Sequence, residues 1–118
     1  MAKRPIRQSR ANVLDVLSML ASAHEQRQYE QRVPHAAVVD ELIEQFVTDV
    51  YHPRSPEFVF AFTDAELKDL AELFGRLRIA SGRKRELSIG SVAELQKLPE
   101  WRAVMCLAKR LEDAFRRA

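Results

Sequence analysis

At 118 residues the chain has room for one domain around one core, and a hydrophobic content of 47% lets that core form without a metal or a disulfide. A single cysteine, Cys106, excludes an internal disulfide and fits a reducing compartment. A net charge of +2 does not point to nucleic acid in bulk, and no apolar run approaches the roughly 20 residues that a membrane span needs, so the expectation is a soluble, cytoplasmic protein.

The first ten residues carry four bases and no acid, with no apolar signal core behind them. They read as a basic N-terminal arm, 1–10, ahead of a single helical domain, 11–118. Ser9 or Asn12 is placed to cap the first helix. Val13, Leu14, Val16, Leu17, Leu20, Ala21 and His24 recur at helical spacing and predict a helix to Gln28 or Tyr29. Pro34 then interrupts the chain.

The next stretch, His35 to Tyr51, is the centre of the prediction. Val38, Val39, Leu42, Ile43, Phe46, Val47, Val50 and Tyr51 cover an arc wider than the stripe of a surface helix, so this helix meets neighbours on more than one side. Its remaining face carries Asp40, Glu41, Glu44 and Thr48. Pro53 and Pro56 end it in a turn. Phe58, Phe60 and Phe62 alternate, but Val59 and Ala61 between them are apolar too, and no second strand is present to pair with them. The stretch 56–62 is therefore expected to be a packed aromatic connector with a helical turn.

Thr63-Asp64-Ala65-Glu66 is a capping box, with Phe62 and Leu67 at staple positions. The helix it opens should face inward through Leu67, Leu70, Ala71, Phe74 and Leu77 and stop near Gly82. Residues 81–90 read as a basic loop. Ser91-Val92-Ala93-Glu94 opens a short helix to about Leu98, and Pro99 suits the first turn of a last helix carrying Trp101, Val104, Met105, Ala108, Leu111 and Phe115 inward. The fold class is thus all-α, a single-domain bundle of four longer helices plus one or two short ones.

Candidate chemistry is sparse. His24-Glu25 begins like a zinc helix motif, but Gln28 stands where the second histidine is needed. His24 falls on the apolar stripe and reads as a core or boundary residue. His35 and His52 lie at opposite ends of the central helix, roughly 25 Å apart at its rise per residue, too far to share an ion. Cys106 lies on an apolar helix without a nearby base and reads as packing. No metal ligands, cofactor site or catalytic residues are expected, so the chain reads as a non-enzyme.

Charge is distributed unevenly. Residues 31–75 hold nine acids against three bases, a net of −6, whereas residues 76–85 hold five bases and no acid. The acids Asp40, Glu41, Glu44, Asp49, Asp69 and Glu72 are the candidate partner-binding face, which would steer a basic protein. Arg76, Arg78, Arg83, Lys84 and Arg85 form the alternative, a phosphate-binding segment of a nucleic-acid-associated protein. No aromatic is interleaved with these bases, which argues against single-strand stacking.

Residues 41–116 resemble the small helical immunity proteins of bacterial contact-dependent growth inhibition systems. The likeness lies in Glu41-Leu42-Ile43-Glu44-Gln45-Phe46 running into Val50-Tyr51-His52-Pro53, in Phe62-Thr63-Asp64-Ala65-Glu66-Leu67, and in Leu98-Pro99-Glu100-Trp101 with Val104-Met105. The resemblance implies a non-enzymatic bacterial protein that binds one cognate protein toxin, often a nuclease, and occludes its active site. It carries over no catalytic residues. The basic total departs from the strongly acidic nuclease inhibitors.

Overall fold

The expected all-α domain is present in the computed structural model, which describes residues 6–33 and 37–117. Its helices are α1 (Ile6–Ala21), α2 (Ala23–Arg32), α3 (Val38–Glu44), α4 (Pro56–Phe60), α5 (Asp64–Glu86), α6 (Val92–Leu95) and α7 (Pro99–Arg117). A π-helical segment, Gln45–Val50, continues α3 without a break. No strand occurs among the described residues, and none of their helices is long and apolar enough to cross a membrane.

Helix α7 packs along both α1 and α5. Cross-links fix the directions. Arg10 meets Glu66 at one end of the bundle, and Gln26 meets Trp101 near the other. Arg83 approaches Glu100 at that second end. α1 and α5 therefore run one way and α7 the other. Lys84 pairs with Asp40, and Phe74 contacts Tyr51, so α3 and its π extension run antiparallel to α5. Leu17, Leu20, Leu42, Phe46, Leu70, Leu73, Leu77, Leu95, Trp101 and Leu111 are fully buried between these elements, each contributing about 2 kcal/mol by removal of apolar surface from water.

The first predicted helix is two helices. Ser22 is extended (φ −116, ψ 110), and its hydroxyl accepts the Glu25 N–H at 3.1 Å, capping α2. The break leaves carbonyls at the end of α1 without next-turn donors. Gln26, fully buried, supplies them: its Nε2 donates to Met19 O at 3.1 Å and Leu20 O at 3.0 Å. Its Oε1 accepts from Trp101 Nε1 and Gln96 Nε2, both at 3.1 Å. The amide thus makes all four of its bonds. With the break, His24 turns outward and is exposed, so it is not the core or boundary residue its spacing suggested.

α1 also begins earlier than expected. Residues 6–10 of the predicted arm are helical, and Ser9 and Asn12 lie inside the helix and do not cap it; residues 1–5 lie outside the described residues. Arg10 holds this end down. Its two terminal nitrogens donate to Glu66 at 2.8 and 3.0 Å, and one also reaches Ala61 O at 3.0 Å. The guanidinium lies over the Phe62 and Phe115 rings, 5.4 and 5.5 Å from their centroids. The same Glu66 closes the predicted capping box, accepting the Thr63 N–H at 2.9 Å. The Arg10 bonds hold its carboxyl below the usual range against a smaller opposing effect of burial.

α5 continues past Gly82 to Glu86, so residues 81–86 are helical, not loop. The stop is a Schellman motif: Ile89 N–H bonds Lys84 O and Ser88 N–H bonds Arg85 O, with Ser88 in the left-handed region at φ 53. The inward face of α5 is Leu70, Leu73, Leu77 and Ala80, with Leu67 and Phe74 half-buried and Ala71 exposed. α6 is shorter than expected, ending at Leu95; Ser91 caps it, and Glu30 accepts the Val92 N–H from α2 at 3.0 Å. α7 follows the prediction from Pro99 onward, except that Met105 is only half-buried and Cys106 is exposed.

Two substitutions test this account. Gln26→Ala orphans the Leu20 carbonyl and the Trp101 N–H together, takes one of two donors from Met19 O, and should lower stability in urea unfolding by about 3 kcal/mol. Ser88→Gly relieves a left-handed side chain and should raise stability by about 0.5 kcal/mol, the backbone entropy of glycine offsetting part of the gain. A destabilised Ser88→Gly would mean that the helix stop does not strain this residue.

Candidate functional site

The π segment determines what the central helix presents. In an α-helix, residues five apart point about 140° away from each other. The i to i+5 bonds of a π turn bring them to nearly one face. Tyr51 N–H bonds Phe46 O at 2.9 Å, and the two rings stack with centroids 5.0 Å apart and planes 16° from parallel. Tyr51 also meets Phe58 edge-on at 5.7 Å and Phe74 at 5.3 Å. Phe58 continues to Phe62, and Phe62 to Phe115, making an aromatic chain from α3 to α7.

The same rephasing acts on the acidic side. Asp40 and Glu44 are one α-turn apart. Glu44 and Asp49 are separated by the five-residue step, so the π turn brings Asp49 nearer the side of Glu44 than an α-helix would. All three are exposed. Their neighbours differ. Asp40 is ion-paired to Lys84. Glu44 and Asp49 have no ion-pair partner among the described residues. Glu41 is half-buried and accepts a hydrogen bond from the Tyr29 hydroxyl. That bond, then burial, pushes the Tyr29 phenol above its ordinary value. Glu72 lies one turn from Arg76 and is bonded by it at 3.3 Å, while Asp69 is half-buried on α5. Of the six candidate acids, Asp40, Glu44 and Asp49 are exposed on the central helix, Glu41 is bonded by Tyr29 of α2, and Asp69 and Glu72 belong to α5.

The basic candidates are largely engaged inside the chain. Arg76 binds Glu72, Arg83 meets Glu86 at 3.3 Å and Glu100 at 3.7 Å, and Lys84 binds Asp40. Arg78 lies over the Phe74 ring at 5.8 Å. Only Arg78 and Arg85 of the five lack a carboxylate partner among the described residues. Glu72 and Arg76 join the acidic and basic sets within one turn of α5, and Asp40 and Lys84 join them between helices.

Sequence reasoning missed a cleft of about 670 Å³ where the π segment ends, lined by Val47, Tyr51, His52, Pro53, Arg54, Ser55 and Phe74. A smaller cavity of about 190 Å³ adjoins it, sharing His52 and Ser55 and reaching Ser9, Asn12, Val50, Glu57 and Phe58. The Pro-rich turn carried a signal for it, since a rigid turn beside two aromatics leaves a concave surface. Among the described residues no group of three His, Cys, Asp or Glu side chains is arranged to hold a metal ion; His35 lies outside them. Comparison with family models, curated proteins and solved structures finds no match to this chain.

The Tyr29–Glu41 bond has a pH signature. The neutral phenol is the donor, so its contribution to stability is full below the ordinary phenol pKa and is lost as pH rises through the raised folded value. In an ultraviolet titration, Glu41→Ala should lower one tyrosine toward the ordinary range and leave Tyr51, raised by burial, in place. Two unchanged tyrosine titrations would remove the bond from the account.

Proposed function

We propose that this protein is a non-enzymatic protein-binding module that neutralises a cognate bacterial toxin, the role implied by its resemblance to the immunity proteins of contact-dependent growth inhibition. One observation carries the reading: Glu44 and Asp49, one π step apart on the central helix, are exposed and have no ion-pair partner among the described residues. Such carboxylates attract cationic groups, and the cationic lining of a nuclease site is the kind of surface they complement.

Carboxylates on a rim supply encounter rate and orientation more than affinity. The affinity belongs to buried apolar anchors. Phe60 is 80% exposed on α4, one turn beyond the loop that follows the central helix, and Val59 beside it is 39% exposed. In this mechanism Glu44 and Asp49 guide a basic toxin surface, Phe60 enters an apolar pocket on it, and the rigid bundle covers the toxin's site. Asp40 contributes little, because its charge is already answered by Lys84.

The test is capture of partners from the native cell on immobilised protein, washed at low and then moderate salt. The expected result is one protein at equal stoichiometry, whose activity the captured chain suppresses. Glu44→Lys with Asp49→Lys should slow association about tenfold, and Phe60→Ala should weaken binding by about 2 kcal/mol. Capture of nucleic acid that leaves at moderate salt, or of no protein at all, would overturn the reading.

A further inference from the structure

The cleft at the end of the π segment has the composition of a ligand site. Its walls are Val47, Tyr51, Pro53 and Phe74. Its volume of about 670 Å³ lies in the range of small-molecule pockets. Its polar groups are few. The Ser55 hydroxyl is committed, donating to Glu57 at 3.1 Å and accepting the Phe58 N–H at 3.4 Å. His52 Nε2 faces the Asp49 carbonyl at 3.0 Å, which makes Nε2 the donor and leaves Nδ1 open. The Arg54 guanidinium makes no ion pair or hydrogen bond among the described residues. No carboxylate lines the cleft, and a second guanidinium, Arg78, lies on the Phe74 ring that forms its wall.

We propose that this cleft binds a small flat aromatic carboxylate. The ligand's ring lies against Tyr51, Phe74, Val47 and Pro53, and its carboxylate meets the Arg54 guanidinium. The assignment follows from charge complementarity. An apolar aromatic wall takes any flat ring, but the only charged group lining the cleft is a cation with five donors and no partner of its own. A neutral ring leaves that guanidinium unanswered, and a cationic one is repelled by it. The carboxylates of Glu44 and Asp49 select the opposite charge, so the two surfaces take different partners. The π turn lies between them: Glu44 precedes it, Asp49 is within it, and Tyr51 follows it into the cleft wall.

The experiment is a titration of the isotope-labelled protein with naphthoate, followed by backbone amide shifts, with naphthamide as the uncharged control. Saturable one-to-one binding is expected, with shifts confined to residues 47–55 and the neighbourhood of Phe74. Naphthamide should bind about tenfold more weakly, the loss of one charge-assisted contact. Arg54 is exposed, so Arg54→Ala leaves the fold intact; it should weaken naphthoate about tenfold and naphthamide little, and Arg54→Lys should restore part of the difference. Absence of saturable shifts at millimolar naphthoate, shifts scattered over the surface, or equal binding of acid and amide would each overturn the proposal. The toxin reading rests on Glu44, Asp49 and Phe60 and is measured by protein capture, so either proposal can fail without the other.

Discussion

The fold depends on one buried amide. Gln26 occupies the point where α1 ends, α2 begins and α7 passes, and it has no contact with solvent. A helix break inside a core is costly because it exposes carbonyls where water cannot reach them. Ser22 answers the N-terminal half of that problem by capping α2, and Gln26 answers the C-terminal half by donating to Met19 O and Leu20 O. Because Oε1 then accepts from Trp101 and Gln96, the repair also fixes the start of α7 and the end of α6. A hydrophobic residue at this position would fill the space but leave the break unsatisfied. The bend that lets α2 reach across to α6 exists because a side chain replaces the missing turn.

At the opposite end of the bundle Arg10 plays a similar part with charge. Its bidentate pair with Glu66 is partly shielded, and Glu66 is already engaged with Thr63 in the capping box. The cation therefore locks the first turn of α5 to the first turns of α1, and its position over Phe62 and Phe115 brings α7 into the same knot. A comparable arrangement holds Glu112. Burial pushes its carboxyl up, but bonds from Ser18 and Arg116, with Lys109 nearby, outweigh that and leave it lowered. Both carboxylates stabilise the fold only while ionised, so acid loosens the α1–α5 and α1–α7 contacts together.

What could be read from the chain was the part encoded over short distances. The Thr63 box, the Pro99 start and the inward stripe of α7 depend on spacing within one or two turns, and each is where it was expected apart from the half-buried Met105. The break at Ser22 was also written locally, as Ser22 followed three residues later by Glu25, but the apolar period running through it masked the signal. The end of α5 was harder. Glycine marks most such stops, and here Ser88 takes the left-handed conformation between Gly82 and Gly90. Arg10 could not be placed because its partners lie more than fifty residues away. Asp40, Glu44 and Asp49 are exposed on the central helix, while Glu41, read onto the same face as Asp40 and Glu44, is half-buried. Asp69 and Glu72 were grouped with them from net charge alone, which carries no helical phase.

The π segment could not be seen for a related reason. A helix whose apolar arc is wide satisfies a period of 3.6 residues or one somewhat longer equally well. The choice between them is made by tertiary contacts. Tyr51 touches Phe46, Phe58 and Phe74 at once, and an α-helical continuation would turn it away from Phe46. The aromatic cluster therefore holds the wider turn open, and the wider turn brings Asp49 nearer the side of Glu44. This links the exposed carboxylates to the packing of α4, α5 and α7 behind them, although none of those helices makes an ion pair to Glu44 or Asp49 among the described residues. A change in the core at Phe58 or Phe74 would thus act on the surface by rephasing the helix, without altering a surface residue.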